Sequence, residues 1–206
     1  MKTTEEESMA DKALKTRRTS IGAQRNPQSQ EAILQAAEEI LVEGGLGSFS
    51  IEAVARRARA GKPTIYRWWP SKTMLLLDVY HRQKYVDIAP DTGTIEGDIF
   101  NVLYGLLEFW RTERAGAVFR SVIAEAQTDP EACRALAAYM VDRYRQGSEM
   151  FQRAKDRGEA ADWIDPEQAM ELIASFAWHR LLTDRLDIPE DELRRAARQF
   201  ANSVKA

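Results

Sequence analysis

Apolar residues recur along the chain at spacings of three and four positions, which places them on one face of an α-helix. The first helix is predicted to begin near Pro27, with Asn26 or Ser29 as its capping residue, and to end at Gly44 and Gly45. Its inner face consists of Ile33, Ala36, Ala37, Ile40 and Leu41. Three shorter helices are predicted to follow, within residues 50–58, 63–69 and 71–80.

The residues that follow a predicted loop at 87–93 show the same helical spacing. A helix from about Thr94 to Arg111 is apolar around most of its circumference, so it should run through the middle of a helical domain. Two later helices begin with Asp-Pro-Glu, at 129–131 and 165–167, which combines a cap, a first-turn proline and an acidic first turn. A last helix begins near Pro189. Since no convincing alternating strand pattern occurs, we predict an all-α fold.

The composition is that of an ordinary globular protein, with 206 residues, 44% of them hydrophobic and 30% charged. The single cysteine, Cys133, cannot form an internal disulfide, and two histidines add too little for a conventional zinc cluster, so we expect no metal and no cofactor. The longest apolar runs fall far short of the ~20 residues that cross a membrane. The polar first 26 residues contain no signal-peptide pattern, and the expected compartment is the cytoplasm.

Charge is unevenly distributed along the chain. Residues 10–86 carry 13 Lys and Arg against 7 Asp and Glu, a net charge of +6, whereas residues 87–206 carry 15 against 22, a net charge of −7. This asymmetry suggests that only the first part meets a polyanion. Charge and helix pattern together divide the chain into three expected segments: a disordered basic arm (1–26), a basic domain with a connecting helix (27–86) that is the candidate for binding a polyanion such as DNA, and a larger helical domain (87–206).

Residues 50–72, SIEAVARRARAGKPTIYRWWPSK, have the pattern of two short helices joined by a tight turn, a helix-turn-helix. Ile51, Val54, Ile65 and Trp69 are spaced to pack inward. Thr64 and Lys62 are predicted to contact base edges, and Tyr66 and Lys72 to contact phosphates. The complete set of predicted DNA-binding residues is Ser50, Lys62, Pro63, Thr64, Tyr66, Arg67, Trp68 and Lys72.

This block resembles the DNA-binding domain of the TetR family of bacterial transcriptional regulators over roughly residues 29–80. The matching positions are Thr64, Ile65, Tyr66, Trp69, Ser71 and Lys72. Two residues depart from the family pattern. Arg59 stands where a turn glycine is usual and would cost about 1–2 kcal/mol in a left-handed conformation, and Gly61 replaces a common Ser or Thr cap.

The resemblance implies a homodimeric regulator, expected to be a repressor, that binds a palindromic double-stranded DNA operator and is released by a small-molecule effector. In such a protein the larger domain would contain the effector cavity, for which the candidates are Phe100, Tyr104, Trp110, Phe119, Met140, Tyr144 and Phe176. The polar groups of Tyr104, Tyr144 or Arg143 would orient the ligand in that cavity. The family's last two helices, about 166–184 and 190–204 here, would form a four-helix bundle with a second copy. The candidate anchors of that bundle are Phe176, Trp178, Leu181 and Phe200.

Two other classes of function stay open at this point. One is an all-α enzyme with a vestigial helix-turn-helix, although Gly61-Lys62 is not a phosphate-binding loop and no catalytic pair is visible. The other is a constitutive DNA-binding or scaffold protein without an effector, whose larger domain would be fully packed. Each of the aromatic residues, taken singly, could also be an ordinary core residue. His179 is expected to be an interface histidine, and His81 is expected to face solvent near the domain junction.

Overall fold

A computed structural model describes residues 26–82, 86–111 and 113–205. Within these ranges the chain forms helices and no strand, as the apolar spacing predicts. The proposed basic arm lies outside the described residues, apart from Asn26 at its end. The helices, in chain order, are α1 (Pro27–Ser48), α2 (Ile51–Ala58), α3 (Lys62–Trp68), α4 (Lys72–His81), α5 (Ile95–Arg111), α6 (Glu113–Ala126), α7 (Pro130–Asp156), α8 (Pro166–Leu182) and α9 (Glu190–Ser203).

The predicted caps begin the helices that they were expected to begin. The side chains of Asn26, Ser50 and Ser71 each accept a hydrogen bond from a backbone N–H in the first turn of α1, α2 and α4. Asp129 and Asp165 do the same for α7 and α8, each followed by proline. These short local bonds satisfy N–H groups that have no partner within the helix, which explains why the sequence locates the helix starts accurately.

The first helix is interrupted at its predicted end. Gly44 and Gly45 were expected to stop it, and Gly45 has a φ of 63° and a ψ of −165°, which are not helical; a short helical segment follows this kink and ends at Ser48. A glycine can adopt this conformation without the steric cost of a β-carbon. The kink therefore redirects the chain toward Phe49, which is buried in the core.

One continuous apolar core joins the N-terminal helices to the larger domain. Helix α4 packs on α1 and also on α6 and α7, and α1 itself packs on α6. Helix α5 lies between α6, α8 and α9, in agreement with its wide apolar surface. No helix in the described ranges is both long enough and apolar enough to cross a membrane.

Candidate DNA interface and ligand cavity

The turn between α2 and α3 has the geometry of a helix-turn-helix. Arg59 ends α2 with φ 51° and ψ 39°, the left-handed conformation whose cost was considered for this departure from the family pattern. Gly61 precedes α3 in an extended conformation and supplies no side-chain cap, although its carbonyl accepts from the N–H groups of Thr64 and Ile65. The turn therefore forms despite two residues that are poorly suited to it.

The outer surface of α3 presents four of the predicted DNA-binding residues to solvent. Lys62, Pro63, Tyr66 and Arg67 are exposed, Tyr66 with 47% of its surface accessible, while Thr64 is half-buried. The guanidinium of Arg67 lies 5.8 Å from the ring centroid of Trp68. A phenol, an ammonium and a guanidinium on one short helix can reach both phosphates and base edges, which fits a DNA interface.

Trp68 corrects the sequence interpretation, which placed it on the outer face. It is buried, with 7% of its surface exposed, and packs edge-on against Trp69 with ring centroids 5.8 Å apart. The physical reason is the helical period, since Trp68 lies three positions after the buried Ile65 and so shares its inward face. The indole N–H of Trp69 donates to the Asp78 carboxylate at 2.6 Å, which ties the end of α3 to α4.

Two of the basic side chains near α3 are paired with carboxylates. Lys62 Nζ lies 2.9 Å from Glu52 Oε1 on α2, and Arg57 pairs with Glu43 of α1 at 2.6 Å. The hydrogen bond between Lys62 and Glu52 raises the pKa of the lysine and lowers the pKa of the glutamate. Arg59 is exposed in the turn beside α3. Arg59 was predicted only as a turn residue, and its exposed charge beside α3 makes it a further candidate for the DNA interface.

Lys72, predicted to contact a phosphate, points instead toward the larger domain. Its Nζ forms an ion pair with Glu125 Oε2 on α6 at 2.8 Å and lies 5.9 Å from the ring centroid of Phe49. Both charged side chains are largely buried, with 28% and 20% of their surfaces exposed. Lys72 therefore connects the first turn of α4 to α6. A phosphate contact would require it to leave Glu125.

A second site is a cavity in the larger domain, bounded by α4, α5, α6, α7 and α8. Its volume, measured as the space open to the centre of a water molecule, is about 70 Å³, several times the ~10–15 Å³ that one water molecule needs. Aromatic and aliphatic side chains predominate in its wall. The lining residues are Tyr80, His81, Val86, Ile88, Leu106, Phe109, Trp110, Phe119, Tyr139, Met140, Arg143, Tyr144, Met170, Ala174 and Trp178.

Four of the seven aromatic and methionine side chains predicted to surround a ligand meet at this cavity: Trp110, Phe119, Met140 and Tyr144. Phe100 and Tyr104 do not, because they lie one turn apart on the opposite face of α5, where their rings stack at 5.8 Å. The Arg194 guanidinium of α9 covers Phe100 at 4.1 Å. Phe176 is also absent from the cavity, since its ring packs edge-on against Phe200 of α9 at 5.7 Å.

Helix α4 supplies cavity residues that the sequence analysis did not assign to a ligand. Tyr80 is buried, and its hydroxyl accepts a hydrogen bond from the Trp110 indole N–H at 2.8 Å. Burial raises the pKa of Tyr80, Tyr139 and Tyr144, which keeps these phenols neutral at physiological pH. Burial and the nearby Arg143 guanidinium lower the pKa of His81. The period of α4 marks Tyr80 as inward, but only the fold shows that it faces α5 and α7.

The predicted dimer anchors separate into different environments. Leu181 is fully buried within its own chain, so the expectation that it forms part of an exposed interface is wrong. Trp178 lines the cavity and packs on Phe119, with ring centroids 5.3 Å apart. Phe176 and Phe200 remain half-buried between α8 and α9. Two α8 residues that were not predicted, Leu172 and Leu182, expose 65% and 53% of their surfaces.

Comparison with known proteins agrees with both parts of this architecture. Residues 33–79 match the sequence family described as bacterial regulatory proteins, tetR family, and residues 89–200 match the tetracyclin repressor-like C-terminal domain. The chain is 27% identical over 187 residues to the uncharacterized HTH-type transcriptional regulator YdeS of Bacillus subtilis, covering 90% of this chain and 94% of the relative.

Two further comparisons cover most of the chain. The HTH-type transcriptional repressor KstR of Mycolicibacterium smegmatis is 30% identical over 146 residues, which is 69% of this chain and 70% of the relative. The crystal structure of the TetR family transcription regulator SCO0332 has the same fold, with a TM-score of 0.69 at 24% identity and coverage of 87% of this chain and all of the other. The helix-turn-helix, the helical larger domain and these matches lead to one conclusion: the chain belongs to the TetR family of transcriptional regulators and is a DNA-binding regulator, not an enzyme.

Proposed function

We propose that this protein is a ligand-responsive transcriptional repressor that binds a palindromic operator as a homodimer and releases it when a mainly apolar small molecule fills the cavity. The observation that carries this proposal is the position of α4. Its first residue, Lys72, follows the recognition helix α3 after only three residues, and its last residues, Tyr80 and His81, line the cavity. A ligand that moves the cavity wall therefore acts on the helix that supports α3.

Polar contacts add to this connection between the two parts of the molecule. The buried Glu38 of α1 lies 3.5 Å from Arg82, at the end of α4, and 3.4 Å from Arg114 of α6. The Lys72–Glu125 pair forms a second connection near the start of α4. A ligand shifts the DNA-binding equilibrium only if it binds one of the two conformations more tightly, and typical couplings are about 1–3 kcal/mol.

The exposed side of α8 supports the proposed homodimer. Leu172 and Leu182 are ten positions apart, which separates them by about 80° around the helix axis, and Phe176, four positions after Leu172, lies about 40° from it in the other direction, so the three side chains span about a third of the circumference. Large apolar side chains exposed along one face are typical of an interface. In a symmetric dimer each contact occurs twice, and the two α3 helices would read half-sites about one helical turn of DNA or more apart.

Selection of random DNA duplexes, followed by fluorescence anisotropy on the enriched sequence, tests this proposal. The expected result is a palindrome that binds more tightly than scrambled DNA, with an affinity that falls steeply as salt rises because cationic side chains displace counterions. Titration of a cavity ligand should then release the duplex. Enrichment of no sequence, or a ligand that occupies the cavity without changing operator affinity, would contradict DNA recognition or effector control respectively.

A further inference from the structure

The cavity wall combines many aromatic rings with a single permanent charge. Of its described lining residues none is Asp or Glu, and the only side chain that stays charged over the physiological pH range is Arg143. The polar groups beside it are the phenols of the wall and His81. A cavity of this kind offers an anion one strong partner and offers a cation no counter-charge.

Arg143 differs from the other arginines that are at least half-buried. Arg82, Arg120, Arg153 and Arg180 each lie within 4 Å of a carboxylate, at Glu31, Asp184, Asp91 and Glu192 respectively. No carboxylate among the described residues lies within that distance of Arg143, whose Nη1 donates only to the Gln146 side-chain oxygen at 3.2 Å. The guanidinium has five N–H donors, so a ligand in the cavity finds most of them available.

The charge of Arg143 also reaches its neighbours in the wall. It lowers the pKa of His81 and of Tyr139, although burial outweighs it at the tyrosine. These effects place a positive potential inside an otherwise apolar space. Such a potential is strongest where water is partly excluded, as it is beside the buried Tyr80, Trp110 and Phe119.

We propose that the ligand of this cavity is an aromatic or apolar carboxylic acid, bound as its carboxylate to the guanidinium of Arg143. Arginine binds a carboxylate through two parallel N–H···O hydrogen bonds, which fix the orientation of the bound ligand. The ring or chain of the acid then packs against Trp110, Phe119 and Trp178. This inference rests on the proposed function, because it takes the cavity as the ligand site, and it adds the charge and the class of the ligand.

The space, about 70 Å³, is smaller than the ~150 Å³ apolar cavity that holds a benzene ring, so a single ring already requires some movement of the wall and a larger ligand requires more. Matched pairs of probes separate charge from shape. Benzoate, 2-naphthoate and 4-phenylbenzoate each have a neutral amide of nearly the same shape: benzamide, 2-naphthamide and 4-phenylbenzamide. Isothermal titration calorimetry of the full chain without DNA measures the affinity of each acid and its amide directly.

We expect at least one acid to bind at least tenfold more tightly than its amide. Arg143→Gln should abolish that preference by weakening the acid, with little change for the amide, and Arg143→Lys should restore part of it. Arg145→Gln is the matched control, because Arg145 is exposed on the same helix, pairs with Asp142 and lies outside the cavity. It should leave both affinities unchanged.

Absence of binding by all three acids, equal binding of acid and amide, or an unchanged preference in Arg143→Gln would overturn the inference. Thermal unfolding of each variant identifies a loss of binding caused by loss of folding, and Arg143→Lys supplies the test if Arg143→Gln does not fold. The proposed function fails differently. If an acid binds through Arg143 but does not release the operator, effector control is wrong; if only neutral compounds release the operator, the carboxylate assignment is wrong.

Discussion

Aromatic side chains are prominent in both halves of this molecule, but they pack differently in each. Near the recognition helix, Trp69 is 1% exposed and its indole N–H is bonded to Asp78, and Trp68 closes the space beside it. In the larger domain, Tyr80 and Trp178 each pack against Phe119, with ring centroids 4.6 and 5.3 Å from that of Phe119 respectively. These three rings nevertheless line a cavity.

The difference follows from helix length and spacing. Helices α2 and α3 have eight and seven residues, so one or two large side chains fill the whole space between them and α4. Helices α5, α7 and α8 have 17, 27 and 17 residues, and the rings at their crossing leave space that no side chain occupies. The comparison indicates that tryptophan fills the core in the first region and lines a cavity in the second.

The largest effect is expected from truncating the packed tryptophan. Trp69→Ala removes a fully buried ring and should lower the free energy of unfolding by about 3–5 kcal/mol. Trp178→Ala removes a half-buried ring beside existing space and should cost less than half as much, because fewer contacts are lost. Urea unfolding followed by circular dichroism measures both. Equal losses would show that the two regions are packed alike.

A charge introduced on the exposed side of α8 should have the next largest effect. It should weaken dimerisation through the larger domain. Leu172→Glu would place a carboxylate in the proposed dimer interface without a partner, which costs about 2 kcal/mol or more and shifts the protein toward monomers. Sedimentation velocity measures the change. Val42→Glu is the control, since Val42 is 47% exposed on α1 and lies outside that surface. A dimer that tolerates Leu172→Glu, or that Val42→Glu also dissociates, would place the interface elsewhere.

The ion pair between the two regions should have a moderate effect on their coupling. Glu125→Gln removes the partner of Lys72, so ligand binding should release DNA less effectively, by about 1 kcal/mol or a factor of five. Anisotropy titrations with and without a cavity ligand measure this coupling. Arg111→Gln breaks only an exposed pair with Glu108 and serves as the control. Unchanged coupling in Glu125→Gln would remove this pair from the connection.

A smaller effect is expected on the exposed surface of α3, where charge contributes more to DNA affinity than packing does. Glu52→Gln frees Lys62 and removes a negative charge beside α3, so DNA affinity at low salt should rise a few-fold. The gain in affinity should shrink as salt increases. Two further variants separate the roles of the α3 side chains: Lys62→Ala should relax sequence discrimination, whereas Tyr66→Phe should weaken binding to all sequences by about the same factor. Weaker DNA binding by Glu52→Gln would show that the pair positions Lys62 for its contact.

The smallest effect concerns pH and the cavity. The pKa of His81 is lower in the fold than its ordinary value, so the unfolded chain binds more protons between the two values. The contribution of His81 to stability is therefore complete above about pH 6.5 and is lost as the pH falls through the folded value. His81→Gln should flatten the dependence of unfolding free energy on pH below about pH 6.5. An unchanged slope would show that His81 titrates as it does in the unfolded chain.

Several features of the site follow from short-range sequence patterns, and others depend on long-range contacts. The caps at Ser50, Asp129 and Asp165 and the position of the turn at Arg59 were predictable because each depends on residues only a few positions away. The exposure of Leu182 next to the buried Leu181 was not, because both are apolar and lie near the end of α8.

The sequence by itself determined the all-α fold, the helix starts and the basic surface of α3, since helical spacing, capping and charge are local properties. Only the tertiary structure decided which rings surround the cavity. Periodicity identifies the face from which a side chain projects, but α5 is in contact on several sides, so Phe100 faces α9 and Trp110 faces the cavity although both lie on an apolar helix. The same holds for Lys72: its charge is visible in the sequence, whereas its pairing with Glu125, 53 positions away, exists only because α4 packs on α6.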